Sequence, residues 1–177
     1  FYPLSETFVV AAPLILTGLS VTLAFRAGLF NIGAQGQFIF GAIGASYVGF
    51  SYTLPPLLHL LAALTGAMFC AGLWGGLVGF LKARTGAHEV IVTIMLNYIA
   101  IYFLLWILST QAFLRKGRQD PIAPPVGENA RLPKLFGIDY RINFGILVAL
   151  GVAYLIHILL NRTTWGFQFR SVGANTL

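Results

Sequence analysis

The sequence predicts an all-α fold: a polytopic transmembrane helical bundle of about five spans, with one helix broken or re-entrant near residues 26–37. Three observations predict it. Of the 177 residues, 58% are hydrophobic and 9% charged, with a mean hydropathy of +0.82; soluble domains carry about 25% charged residues. No Asp, Glu, Lys or Arg occurs between Arg26 and Lys82, a gap long enough for two crossings at roughly 20 residues each. The short alternating segments of a transmembrane β-barrel are missing.

The spans follow in order. The first is expected over Phe8–Phe25, closed by Arg26. The second covers Gln37–Thr53 and ends at Pro55-Pro56. The third runs from Leu57 to Leu81 and stops at Lys82, the fourth from Val90 to Thr110, and the fifth from Ile142 to Leu160. The hydrophilic stretch Gln111–Arg141 contains Pro121, Pro124, Pro125 and Pro133, so it is expected to be extended rather than one long helix. Ala63, Ala67, Ala71, Gly75 and Gly79 recur every fourth residue in the third span, as do Gly41, Ala45 and Gly49 in the second. Small residues at that spacing let helix backbones approach closely.

The net charge of +6 is read as span-end anchoring by long basic side chains, not as a nucleic-acid surface. Charge counting leaves the orientation open. One face collects five basic residues; the other collects six, with three acids beside them. Cys70 is the single cysteine, which excludes an internal disulfide and a cysteine metal site. His59, His88 and His157 form no ligand spacing, so no metal site is expected, and His59 and His157 are read as structural. There is no P-loop, nucleophile elbow, HExxH or carboxylate pair. No catalytic residue is expected, and the chain is not read as an enzyme.

The polar interruptions carry the functional content. In FRAGLFNIGAQGQ, Phe25–Gln37, Gly28, Gly33 and Gly36 each lower helix propensity by about 1 kcal/mol relative to Ala. Asn31, Gln35 and Gln37 add neutral amides that donate and accept hydrogen bonds. On a continuous helix Asn31 and Gln35, four apart, would share a face. Broken helices at membrane depth survive where they face protein or a watery cavity, and they point to transport sites. On that reading the amides meet a neutral, hydroxyl-rich solute. The competing reading is an interfacial turn with Asn31 capping the next helix. In HEVIVTIMLNY, Glu89, Thr93 and Asn97 fall at i, i+4 and i+8, one polar stripe on a helix. It faces either a water-filled path or a hydrogen-bonded helix neighbour. Glu89 lies near Lys82 and Arg84, at the membrane edge and within ion-pairing reach. No carboxylate is expected deep in a span, which disfavours a proton- or sodium-coupled carrier.

Three strings, APLILTGLSVTLAFRAGLFNIGAQGQ, HEVIVTIMLNYIA and RTTWGFQFRSVGANTL, occur in family order and cover nearly the whole chain. In them the sequence resembles the membrane permease subunits of bacterial ABC importers. The similarity is to the nucleoside and simple-sugar group, which is related to ribose-type and branched-chain amino-acid permeases. The family pattern often has Glu where this chain has Gln35, which leaves open whether position 35 touches solute or only holds the break. The resemblance implies a single permease domain over 1–177, the N-terminal half of a longer protein. It also implies an external Pro-rich loop at 111–141 and a cytoplasmic ATPase-coupling segment at 161–177, in a multi-pass protein of the bacterial cytoplasmic (inner) membrane. The implied substrate path uses Asn31, Gln35, Gln37, Thr93 and Asn97. The implied coupling residues are Thr164, Gly166, Arg170, Gly173 and Asn175. Implied partners are an ATP-binding cassette ATPase subunit, a second permease subunit, an extracytoplasmic substrate-binding protein and membrane lipid, with no nucleic acid. No cofactor is expected on this chain; ATP and Mg are used by the ATPase. The alternative expectation is an ion-coupled secondary transporter of a small polar solute, and a third is a purely structural membrane subunit.

Overall fold

The computed structural model describes residues 2–117, 120–135 and 141–174. They form α1 (Tyr2–Arg26), α2 (Ala34–Ser51), α3 (Pro56–Thr85), α4 (Glu89–Leu108), a 3-10 turn (Glu128–Ala130), α5 (Gly145–Arg162) and α6 (Thr164–Ala174). Among the described residues there is no β-strand, only an isolated bridge between Lys134 and Asn143. The all-α, multi-spanning class expected from composition is the one observed. Helices α1, α3, α4 and α5 are long and apolar enough to cross a membrane. Helix α2, expected as a further span, is not among them. Its 18 residues include Gln35, Gln37 and four glycines, which dilute its apolar character. It nevertheless buries five of its residues, so the least greasy long helix is also well enclosed by protein.

Local chemistry sets the ends. Pro56 opens α3 at the first helical position, where a missing N–H costs nothing. Gly86 closes it in the left-handed conformation at φ +64°, donating its N–H to Lys82 O. Glu89 opens α4, where a carboxylate favours the helix dipole. It pairs with Lys82 Nζ at 2.8 Å, one of the two outcomes, solvated or ion-paired, open to it at the membrane edge. Helix α1 begins six residues earlier than the hydropathy start and so takes in Glu6, which pairs with Arg141 at 3.1 Å. Hydroxyls inside the apolar helices bond back to their own turns; Thr17 donates to Pro13 O at 2.9 Å and Thr22 to Gly18 O at 2.8 Å.

The chain divides into two compact units, one of residues 1–31 with 132–177 and one of residues 32–131. In the second unit α2 packs along α3 and also meets α4. Phe40 of α2 stacks on Trp74 of α3 at 3.7 Å between ring centroids and on Phe103 of α4 at 5.1 Å. The expected small-residue stripes do face each other in part: a Cβ on Gly41 would meet Ala71 Cβ at 3.4 Å. The closest approach, however, is Gly44 against Gly66, where a Cβ on Gly44 would stand 2.5 Å from Gly66 O and 2.7 Å from Cys70 Sγ. Gly79, at the end of the other stripe, has nothing within 4 Å. Gly44→Ala is therefore expected to destabilise by about 1–3 kcal/mol through overpacking. Gly79→Ala is expected to be neutral or to gain up to about 1 kcal/mol of helix propensity. Apparent melting temperatures of the two variants in detergent check this.

In the first unit α1 packs on α5, and α6 meets both. Ser5, Ala12 and Ala149 are buried there.

Candidate functional site

The α1–α2 link is not helical: α1 ends at Arg26 and α2 starts at Ala34. Gly28 takes φ +75°, a value that only a residue without a Cβ adopts at no cost. The break expected near 26–37 is present, with one consequence that differs from expectation. Asn31 lies in the link, outside either helix, so it shares no helical face with Gln35. Nor does it serve as the cap of α2, whose N-cap is Gly33, with no side-chain cap hydrogen bond.

The cap is supplied from another helix. Asn97 Oδ1 accepts the Gly36 N–H at 2.8 Å, and Asn97 Nδ2 donates to Ile32 O at 3.0 Å. One amide thus satisfies an orphan donor in the first turn of α2 and a carbonyl of the link, groups that a helix break leaves unpaired. An amide suits this task because it donates and accepts at once. Gly36 is the residue that admits it, since a Cβ there would stand 2.8 Å from Trp74 Nε1 and 3.0 Å from Asn97 Oδ1. The Trp74 indole N–H is buried without a hydrogen-bond partner. The next residue of α3, Gly75, leaves room for Gln37, whose Nε2 would lie 3.1 Å from a Cβ. Gln37, Gly36, Trp74 and Asn97 therefore make a polar cluster where α2, α3 and α4 meet. Gln35 is exposed, and Asn31 is half-buried.

Thr93 is also on the inward face of α4, fully buried, but its hydroxyl donates to Glu89 O at 2.7 Å and Val90 O at 3.1 Å within its own helix. Of the expected path residues, Asn97 meets the first turn of α2 at Gly36, and Gln37, in the same turn, lies against Gly75 of α3. Thr93 lies about one turn from Asn97 on the same stripe.

The coupling segment is organised around an elbow. Thr163, between α5 and α6, was not among the expected residues; Thr164 was. Thr163 Oγ1 accepts the Gly166 N–H at 3.1 Å, the bond of a helix N-cap, and donates to Leu159 O at 2.6 Å. Adjacent threonines offered no sequence signal to choose between them. Gly166 is buried against the end of α5, where a Cβ would collide with Leu159 O and stand 2.6 Å from Leu160 Cα. Thr164 and Arg170 are exposed, Gly173 is half-buried, and Asn175 lies outside the described residues. Helix α6 also exposes Trp165, Phe167 and Val172.

Sequence reasoning missed a second feature. Segment 126–130 lies over the α2–α3 turn: Gly127 N–H donates to Gly49 O at 2.9 Å, and Asn129 Nδ2 to Leu54 O at 3.1 Å. Beneath it is a cavity of about 300 Å³ lined by Gly49, Tyr52, Thr53, His59, Glu128 and Asn129, among others. His59 is 2% exposed and donates Nε2–H to Val48 O at 3.2 Å, while its Nδ1 has no partner. Among the described residues no cluster of His, Cys, Asp and Glu could hold a metal.

The sequence matches the family described as branched-chain amino acid transport system / permease component over residues 4–177. It is 44% identical, over 98% of its length, to the guanosine ABC transporter permease protein NupP of Bacillus subtilis, of which it covers 50%. It is 32% identical over 97% of its length to the nucleoside ABC transporter permease protein NupB of Lactococcus lactis, covering 49% of it. To the glucose ABC transporter permease protein TsgB13 of Haloferax volcanii it is 31% identical over 98% of its length, covering 48% of that protein. The chain thus spans about half the length of the curated relatives it matches. No solved structure matches it at a significant level.

Proposed function

From the premise that the chain belongs to the branched-chain amino acid transport system / permease component family, we propose that it forms part of the membrane-spanning permease of an ATP-binding cassette importer for nucleosides or simple sugars. The protein of which this chain is part sits in the bacterial cytoplasmic membrane and hydrolyses nothing itself. A partner ATPase subunit uses ATP and Mg, a second permease subunit completes the path, and an extracytoplasmic binding protein delivers solute. Segment 111–141 faces the binding protein, and α6 with the residues after it faces the ATPase on the cytoplasmic side. Asn31, Gln35, Gln37, Thr93 and Asn97 border the solute path, with Thr164, Gly166, Arg170, Gly173 and Asn175 in the coupling segment.

The observation that carries this reading is the amide-stapled break: α2 starts within the chain's most polar apolar-flanked stretch, and its first turn is held by Asn97 of α4. Uncharged donors and acceptors at this break suit a neutral, hydroxylated solute, and the guanosine and glucose permeases among its relatives support that class. The test is uptake of radiolabelled guanosine and glucose into proteoliposomes holding the full-length protein with its ATPase and binding protein. Accumulation of one solute that needs internal ATP and survives a protonophore is expected. Uptake that persists without ATP and collapses with the protonophore would mean an ion-coupled carrier instead.

A further inference from the structure

Gly173, near the end of α6, and Gly28, just after α1, touch backbone to backbone. A Cβ on Gly173 would collide with Arg26 O and stand 3.0 Å from Gly28 N; a Cβ on Gly28 would stand 3.1 Å from Gly173 Cα. The contact is reciprocal, so a side chain on either partner destroys it. It is also rigid, because its atoms are main-chain atoms with no rotamers to give way. Helix α6 is thereby pinned at both ends within one unit, at Gly166 on the end of α5 and at Gly173 on the turn that closes α1. A surface helix whose only task was to shelter apolar side chains would need no glycine at such a point, where Gly costs about 1 kcal/mol of helix propensity.

We infer that the Gly28–Gly173 contact is a mechanical joint, through which displacement of α6 is delivered to the turn at Arg26–Gly28 and so to link 29–33 that enters α2. This rests on the proposed importer function and adds Gly28 as a positioning residue. Covalent continuity carries the push onward: six residues beyond Gly28 the chain enters α2 at Ala34, in the turn whose N–H groups Asn97 holds. Moving link 29–33 loads the amide staple directly.

The test uses the full-length transporter reconstituted with its ATPase and binding protein. It measures solute moved per ATP hydrolysed, together with co-purification of the ATPase. Gly173→Ala raises helix propensity, so its harm is confined to the contact. Gly28→Asn adds bulk to the same contact with less backbone strain than most other side chains, because Asn is enriched at positive φ. Both variants are expected to lower the transport ratio by about tenfold or more, the scale of a typical coupling, and Gly28→Asn, outside the coupling segment, is expected to do so with ATPase association and ATP hydrolysis kept. Because both insert a Cβ into one contact, the double variant is expected to lose no more than the worse single one. A wild-type ratio in either variant overturns the joint. So do losses that multiply in the double variant, or loss of ATPase association in both, which would make the contact a docking feature. Absence of ATP-driven uptake by the wild-type protein would instead overturn the importer reading, a separate result.

Discussion

Gly166→Ala is expected to cost more stability than any other single methyl added to this chain, and to abolish transport. Its Cβ would overlap Leu159 O and approach Leu160 Cα and Leu160 O at 2.6 Å. All three are main-chain atoms of α5, so no side chain can rotate aside, and either the α5–α6 elbow opens or the last turn of α5 unwinds. Opening the elbow also pulls Gly166 N–H from Thr163 Oγ1 and removes the cap of α6. Overpacking alone costs about 1–3 kcal/mol, and a lost cap adds about 1 kcal/mol. A Cβ on Gly151, within α5, has nothing within 4 Å, so Gly151→Ala is the control, expected to be neutral or slightly stabilising. Heating followed by size-exclusion chromatography reads both. A Gly166→Ala protein that melts with the Gly151→Ala protein contradicts the elbow geometry.

Asn97→Ala is expected to have the second-largest effect, and to act on transport more than on folding. It strips partners from Gly36 N–H and Ile32 O together. A buried orphaned group costs about 1–3 kcal/mol, although interhelical hydrogen bonds in membranes average only about 0.6 kcal/mol because alternative partners are found. The half-buried setting of Asn97 places the stability loss between those figures, at about 1–2 kcal/mol. Transport should fall by about tenfold or more, since 1.4 kcal/mol in the population of the competent link is a factor of ten. Asn97→Asp separates the two bonds: it keeps the acceptor for Gly36 N–H, loses the donor to Ile32 O and adds a charge. It is expected to retain the start of α2 while still impairing uptake. Equal uptake by wild type, Asn97→Ala and Asn97→Asp would remove Asn97 from the account.

What could be read from the sequence was whatever is local. Arg26, Pro55-Pro56 and Lys82 mark span ends because charge and the missing proline N–H act within a turn. Three glycines and three amides in thirteen residues signalled the interruption at 27–33. Lys82 and Glu89, seven apart across a short loop, pair as their spacing allows. What could not be read was long-range. Asn97 and Gly36 are 61 residues apart, and no pattern in either segment names the other; the local candidate, Asn31, was the natural choice for a cap and the wrong one. That Thr163 caps α6 depends on where α5 ends, a matter of one residue. The His59 cavity depends on segment 126–130 folding back over Gly49, which no periodicity in a proline-rich loop foretells. Stripes of small residues predicted close helix–helix packing without naming the partner, and the tightest point between α2 and α3, Gly44 on Gly66, fell one residue off each stripe.

The central claim is that the amide-rich break borders the route of a polar passenger. Cysteine placed at position 35 in a cysteine-free, full-length background tests it, by labelling with a membrane-impermeant thiosulfonate with and without saturating solute. Labelling from the aqueous phase that solute suppresses is the result this account predicts. Reaction only with a lipid-soluble reagent, unchanged by solute, would mean that residue 35 faces acyl chains and that the route lies elsewhere.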